Sequence, residues 1–113
     1  MEMVESTDRN VNIVGVRGRV DASTAPAFEA KLLALIDAGT QRLVIDCAEL
    51  DYISSAGLRV LLVAAKRLKS VHGHLALAAV QDPIKEVLDI AGFTSLFPIY
   101  TTRMGAAHAL NVR

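Results

Sequence analysis

The chain is short of the groups that most binding and catalytic chemistries need. Cys47 is its only cysteine, so no disulfide can form within it, and nothing in the flanking sequence gives that thiol a redox partner. A small side chain at the end of an apolar run reads most simply as a buried packing residue. Tryptophan is absent and aromatics make up 4% of the residues, too few for the stacking platforms that hold single-stranded nucleic acid. Twelve basic residues balance twelve acidic ones. Phosphate neutralisation supplies most of the affinity of nucleic-acid binders, so no nucleic-acid partner is expected.

No apolar run has the length of a bilayer span. The longest, Val60 to Ala65, lies between Arg59 and Lys66, and no membrane insertion is expected. The first residues, Met-Glu-Met-Val-Glu-Ser, are acidic and lack the basic start of a secretory signal. The expected location is the cytoplasm. No glycine-rich phosphate loop is present, and no cofactor is expected. His72, His74 and His108 lack the further spaced ligands of a metal site and read as surface or helix-end residues. Ile53 stands where the first glycine of a Gly-x-Ser-x-Gly nucleophile elbow would precede Ser55. No catalytic residue is assigned.

What remains is a chain of 113 residues, 52% of them hydrophobic, enough for one buried core and one domain over residues 1–113. Val11 to Val16 is rich in β-branched residues and reads as a strand. Asp8-Arg9-Asn10 has turn chemistry, so Met1 to Ser6 is the other arm of a hairpin. Asp21 to Thr24 offers helix caps before Pro26, Phe28, Leu32, Leu35 and Ile36 recur at helical spacing, and Gly39 closes that helix. Leu43-Val44-Ile45 has no polar alternation, as in a strand covered on both faces.

A second helix is expected from about Ser55 to Val71. Its core stripe is Leu58, Leu61, Leu62, Ala65 and Leu68, its last turns are basic and Gly73 stops it. Leu75 to Val80 reads as a strand. Asp82-Pro83 starts a third helix with Asp82 as cap, and Ile84, Val87, Leu88 and Ala91 face inward. Phe97 to Tyr100 is a short strand. Thr102 to Leu110 is a final helix whose alanines allow close packing. The order is strand, strand, then helix and strand in alternation, ending on a helix. This pattern gives an α/β domain with a mixed, mostly parallel β-sheet and about four helices packed mainly on one face.

The segment Asp51-Tyr52-Ile53-Ser54-Ser55-Ala56-Gly57-Leu58 joins a strand to the second helix and brings two serines to its start. One of them is the cap, accepting a bond from the first free amides. The same position favours added negative charge, because unpaired N–H groups and the helix dipole stabilise it.

This segment resembles the switch loop of the anti-sigma factor antagonist family, the STAS domain. The resemblance covers most of the chain: Gly18-Arg19-Val20-Asp21, Leu43-Val44-Ile45-Asp46, the serine loop itself, and Val87 to Phe93 follow the family pattern in order. Ser54 stands where many members have Asp, and Ala56 where many have Ser.

Aligned on Gly57, the resemblance implies phosphorylation at Ser55, with Ser54 as second choice. It implies a partner-binding surface that includes Asp21, Ser54, Ser55, Ala56, Gly57 and Arg59. For Asp21, capping of the first helix is the plain structural role, and it is compatible with partner contact. Leu62 is open between core and interface. The implied partners are a serine-kinase anti-sigma factor, released when Ser55 is phosphorylated, and a PP2C-type serine phosphatase that reverses the change. A non-sigma adaptor or scaffold subunit on the same fold, without a phospho-switch, is the alternative.

Overall fold

The longest strand organises the sheet. In the computed structural model, which describes residues 1–112, β2 (Val11–Val20) pairs with three other strands. Along its length it takes β1 (Glu2–Asp8) antiparallel, from Glu2 opposite Arg17 to Asp8 opposite Val11. Its first half pairs in parallel with β3 (Arg42–Asp46), and its last residues, Gly18 to Val20, pair in parallel with β4 (Leu50–Ile53). The ladder slips between Gly18 and Arg19, where Gly18 takes φ +89°, a conformation that costs glycine little. β5 (His74–Ala78) and the two-residue β6 (Ile99–Tyr100) extend the sheet in parallel beyond β3.

Helices α1 (Ala25–Asp37), α2 (Ser55–Ser70) and α3 (Asp82–Ile90) cover one face. There Phe28, Leu32, Val60, Leu61, Leu68, Ile84 and Leu88 pack on Val14, Val16, Leu43, Ile45, Leu75 and Leu77. The other face carries α4 (Arg103–Asn111) alone, with Ala106, Ala107 and Leu110 against Val11, Ile13, Val44, Ala76 and Ala78. The alanines keep this helix close to the strands, as their size suggested. Leu43, Val44 and Ile45 are all buried because successive side chains enter opposite layers. The fold class read from the sequence is the one observed, a mixed and mostly parallel sheet with three of the four α-helices among the described residues on one side.

Several local expectations are corrected. The sequence pattern does not predict β4 and leaves these residues in the loop before α2, since a four-residue strand with two exposed central residues has little periodic signal. The buried positions of α2 are Gly57, Val60, Leu61, Ala64 and Leu68, while Leu58, Leu62 and Ala65 are half-buried. The stripe is rotated because α1 also packs on this helix. In α3 only Ile84 and Leu88 are buried. Val87 and Ala91 are exposed, because the helix rests on the sheet by one narrow edge. Gln81, not Asp82, is the residue before the first turn of α3, and its side-chain amide reaches away to the carbonyls of Ala48 and Leu50. The last strand is shorter than Phe97 to Tyr100, because Phe97 turns into the core after a 3₁₀ turn at Phe93–Ser95. Among the described residues, no helix is long and apolar enough to cross a membrane.

Candidate partner-binding site

Because β2 and β4 run in parallel, both leave the sheet at the same end. Val20 lies opposite Ile53, and the Ser54 amide donates to the Val20 carbonyl at 2.9 Å. Asp21 and Ser54, far apart in sequence, therefore follow paired residues. Helices α1 and α2 both start from this end, the usual place for binding residues in α/β folds.

The two serines have separate places. Ser54 is extended (φ −88°, ψ 175°) and caps α2: its Oγ accepts the Gly57 amide at a long 3.4 Å, and its carbonyl accepts the Leu58 amide at 2.9 Å. Ser55 is the first residue of the helix. It is exposed, and its hydroxyl makes no hydrogen bond among the described residues.

Ala56 is half-buried against the core. Gly57 points inward and is buried. A Cβ there would sit 2.6 Å from Ile53 Cγ1 and 2.8 Å from Val20 Cγ1. Its missing side chain lets the start of α2 lie directly on the paired ends of β2 and β4.

Asp21 organises its own turn. Its Oδ1 accepts the Ser23 hydroxyl at 2.7 Å, the Ser23 amide at 3.0 Å and the Thr24 amide at 3.2 Å. The Thr24 hydroxyl accepts the Asp21 amide at 2.9 Å and donates to the Arg19 carbonyl at 3.0 Å. The Ser23 hydroxyl is the main cause holding the Asp21 carboxyl below its ordinary range. Partial desolvation opposes it, and the backbone amides of Ser23 and Thr24 add to it. Thr24, not Asp21, precedes α1 as its cap residue, and its side chain makes no cap bond. Asp21 serves the turn before the helix, and its carbonyl accepts the Ala25 amide at 2.8 Å.

Arg59, one turn further along α2, lies 3.6 Å from Glu29 of α1, and its side chain is 72% exposed. An exposed pair of this kind adds under about 1 kcal/mol. Between the helices, Ala22, Ala25, Pro26, Ala56 and Val60 line a shallow groove that the Glu29–Arg59 pair borders.

The structure thus gathers Asp21, Ser54, Ser55, Ala56 and Arg59 at one end of the molecule and turns Gly57 beneath them. It also places a pair that sequence reasoning missed. The Arg19 guanidinium lies 4.2 Å over the Tyr52 ring. The two are register partners across β2 and β4, a relation invisible until β4 is recognised as a strand.

His72 and His74 are exposed at the opposite end of the sheet, and no cluster of three or more metal-ligating side chains occurs among the described residues. Cys47 is buried, and burial pushes its thiol up to about 12, with Asp46 adding to the shift.

Comparison with known proteins agrees with this architecture. The family model described as the STAS domain matches residues 3–106. BtrV of Bordetella bronchiseptica, described as an anti-sigma factor antagonist, is 45% identical over 97 residues, which is 86% of this chain and 84% of that protein. The crystal structure of an anti-sigma factor antagonist from Mycobacterium paratuberculosis superposes with a TM-score of 0.89 at 26% identity, covering 97% of this chain and 93% of that one. One from Thermotoga maritima reaches 0.92 at 18% identity, covering 96% and 94%. Anti-sigma factor antagonists are regulators without catalytic activity. The chain belongs to the STAS domain family and, within it, to the anti-sigma factor antagonists.

Proposed function

We propose that residues 1–113 form a single STAS domain acting in the cytoplasm by partner switching, with Ser55 as the phosphoacceptor. In the unphosphorylated form the surface around Asp21, Ser54, Ser55, Ala56 and Arg59 binds a serine-kinase anti-sigma factor. Phosphorylation of Ser55 ends that complex, and a PP2C-type phosphatase restores it. The observation that supports this most is the division of labour between the serines. Ser54 carries the cap, so the exposed Ser55 hydroxyl can be modified without removing a bond that holds the helix.

A phosphate there adds about −1.5 to −2 charges at a helix N-terminus, where the dipole and free amides tolerate it. The fold survives and the surface changes. The new charge would join the ionised Asp21 on the same surface, and a partner shaped for the neutral serine would meet like charge or lose a close contact. A penalty of about 2.7 kcal/mol weakens binding roughly 100-fold.

The test is retention of proteins from native lysate on wild-type, Ser55→Ala and Ser55→Asp baits. A kinase-type ATPase held by the first two and lost by the third is the expected result. Equal retention of transport or scaffold proteins by all three would replace this reading with a non-sigma adaptor in which Ser55 is a helix-end residue only.

A further inference from the structure

The charges around the candidate site are mostly spoken for. Arg59 faces Glu29, and on the strand leading to the site Arg17 pairs with Glu49 at 2.6 Å. Arg103 lies 3.6 Å from Asp46. Arg19 differs. It makes no ion pair among the described residues, although Asp51 is adjacent to its register partner Tyr52. Its side chain is exposed and held over the ring of Tyr52, which is 41% exposed.

Val20 and Ile53, the next pair along the ladder, point into the core. Alternation along the strands therefore puts Arg19 and Tyr52 on the opposite face, at the end from which Asp21 and Ser54 emerge. The Arg19 carbonyl is tied to Thr24, so its backbone belongs to the same hydrogen-bonded turn as Asp21.

Stacking fixes the plane of a guanidinium and leaves its N–H edge free. A planar fork of donors, preordered and uncompensated by any acid among the described residues, matches a carboxylate in two-point contact. Arginine and tyrosine are also, with tryptophan, enriched among the side chains that carry most binding energy at protein interfaces.

We propose that Arg19, oriented by Tyr52, is a second anchor of the partner-binding surface and takes an aspartate or glutamate side chain of the partner protein. The surface then presents two opposite signs side by side, negative at Asp21 and positive at Arg19. A correct partner must carry the complementary pair, a base facing Asp21 and an acid facing Arg19, in the matching order. A partner with a single-sign surface gains at one point and is repelled at the other, so Arg19 contributes to selection among related anti-sigma factors. Tyr52 is a positioning residue in this arrangement.

The inference rests on the reading of Ser55 above, in that its partner is the kinase-type protein which the Ser55→Ala bait retains. That protein, purified, is the probe, and its affinity for unphosphorylated variants is measured by calorimetry at two salt concentrations. Arg19→Ala should weaken binding about tenfold or more and flatten the salt dependence. Arg19→Lys, which keeps charge without the fork, should fall between. Tyr52→Leu should weaken binding several-fold in the wild-type background and have no further effect in Arg19→Ala, while Tyr52→Phe, which keeps the ring face, should bind as wild type. Reversing one acidic residue of the partner to lysine should restore binding to Arg19→Glu.

Both side chains are on the surface, and thermal unfolding of each variant tests whether the fold is intact. Affinity within twofold of wild type for Arg19→Ala overturns the proposal. So does an equal cost of Tyr52→Leu with and without Arg19, or the failure of every partner reversal to rescue Arg19→Glu. The Ser55 reading fails separately, if Ser55→Asp binds this protein as tightly as Ser55→Ala does. Retention of no kinase-type protein by the Ser55→Ala bait overturns both.

Discussion

Replacing Gly57 with alanine adds a single methyl group and should destabilise the protein while leaving the backbone conformation allowed. The position is inside α2, so the backbone is helical, and alanine is favoured over glycine there by at most about 1 kcal/mol. Against that gain, the added carbon would lie 2.6 Å from Ile53 Cγ1 and 2.8 Å from Val20 Cγ1. Neither atom is the loose end of a flexible side chain. Val20 is fully buried, Ile53 is 7% exposed, and both are β-branched and stiff at χ1. Relief requires α2 to lift or the strand ends to part, and with two contacts this short the cost falls in the upper half of the usual overpacking range, about 2–3 kcal/mol.

The net expectation is a loss of about 1–2 kcal/mol, which for a domain of this size lowers Tm by about 4–10 °C. Urea unfolding followed by circular dichroism measures it, with an unchanged m-value showing that the denatured state is the same. Ile53→Ala should then cost less in the Gly57→Ala background than alone, since it removes the clashing carbon. A Gly57→Ala protein as stable as wild type, or more so, would refute the packing account and leave Gly57 as a surface requirement of the partner.

Four further substitutions and labellings separate the roles of neighbouring groups. Ser54→Ala should cost about 0.5–1 kcal/mol by loss of the cap, the low end because the bond is 3.4 Å long, whereas Ser55→Ala should be within about 0.5 kcal/mol of wild type by the same unfolding assay. Asp21 is held below the ordinary carboxylate range, chiefly by the Ser23 hydroxyl. Its ionised turn therefore favours the folded state above the ordinary value, and that contribution is lost as pH falls through the depressed folded value. Carboxyl NMR titration of Ser23→Ala should show the Asp21 midpoint moving upward, and an unmoved midpoint would contradict the hydrogen-bond assignment. Cys47, with its thiol raised to about 12, should resist alkylation in the folded protein at pH 8 and react fully in urea. Fast labelling without denaturant would show that the layer over β3 opens readily.

The sheet and the order of its helices were legible because the central strands and long helices repeat their apolar residues at periods that survive in one dimension. Leu43-Val44-Ile45 and the Phe28, Leu32, Ile36 series are examples. The serine loop was legible as a helix start for a similar reason, since cap chemistry is local. Which serine caps was not, because both satisfy the pattern and only the angle at which the chain leaves β4 assigns the role to Ser54. β4 itself escaped because half of its four residues are exposed. With it went the register that sets Arg19 over Tyr52 and Gly57 over Val20, contacts fixed by tertiary pairing and by no short-range signal.

The joint between β2 and β4 has a consequence for what a modifying enzyme can see. A peptide copied from residues 49–60 would contain both serines and the whole loop, yet it would lack Val20, whose carbonyl holds the Ser54 amide, and the Asp21 turn beside it. The recognised shape exists only after two distant stretches of chain have closed their ladder. A kinase that reads this shape would act on finished molecules and pass over nascent or damaged ones, so its signal would count the folded population alone.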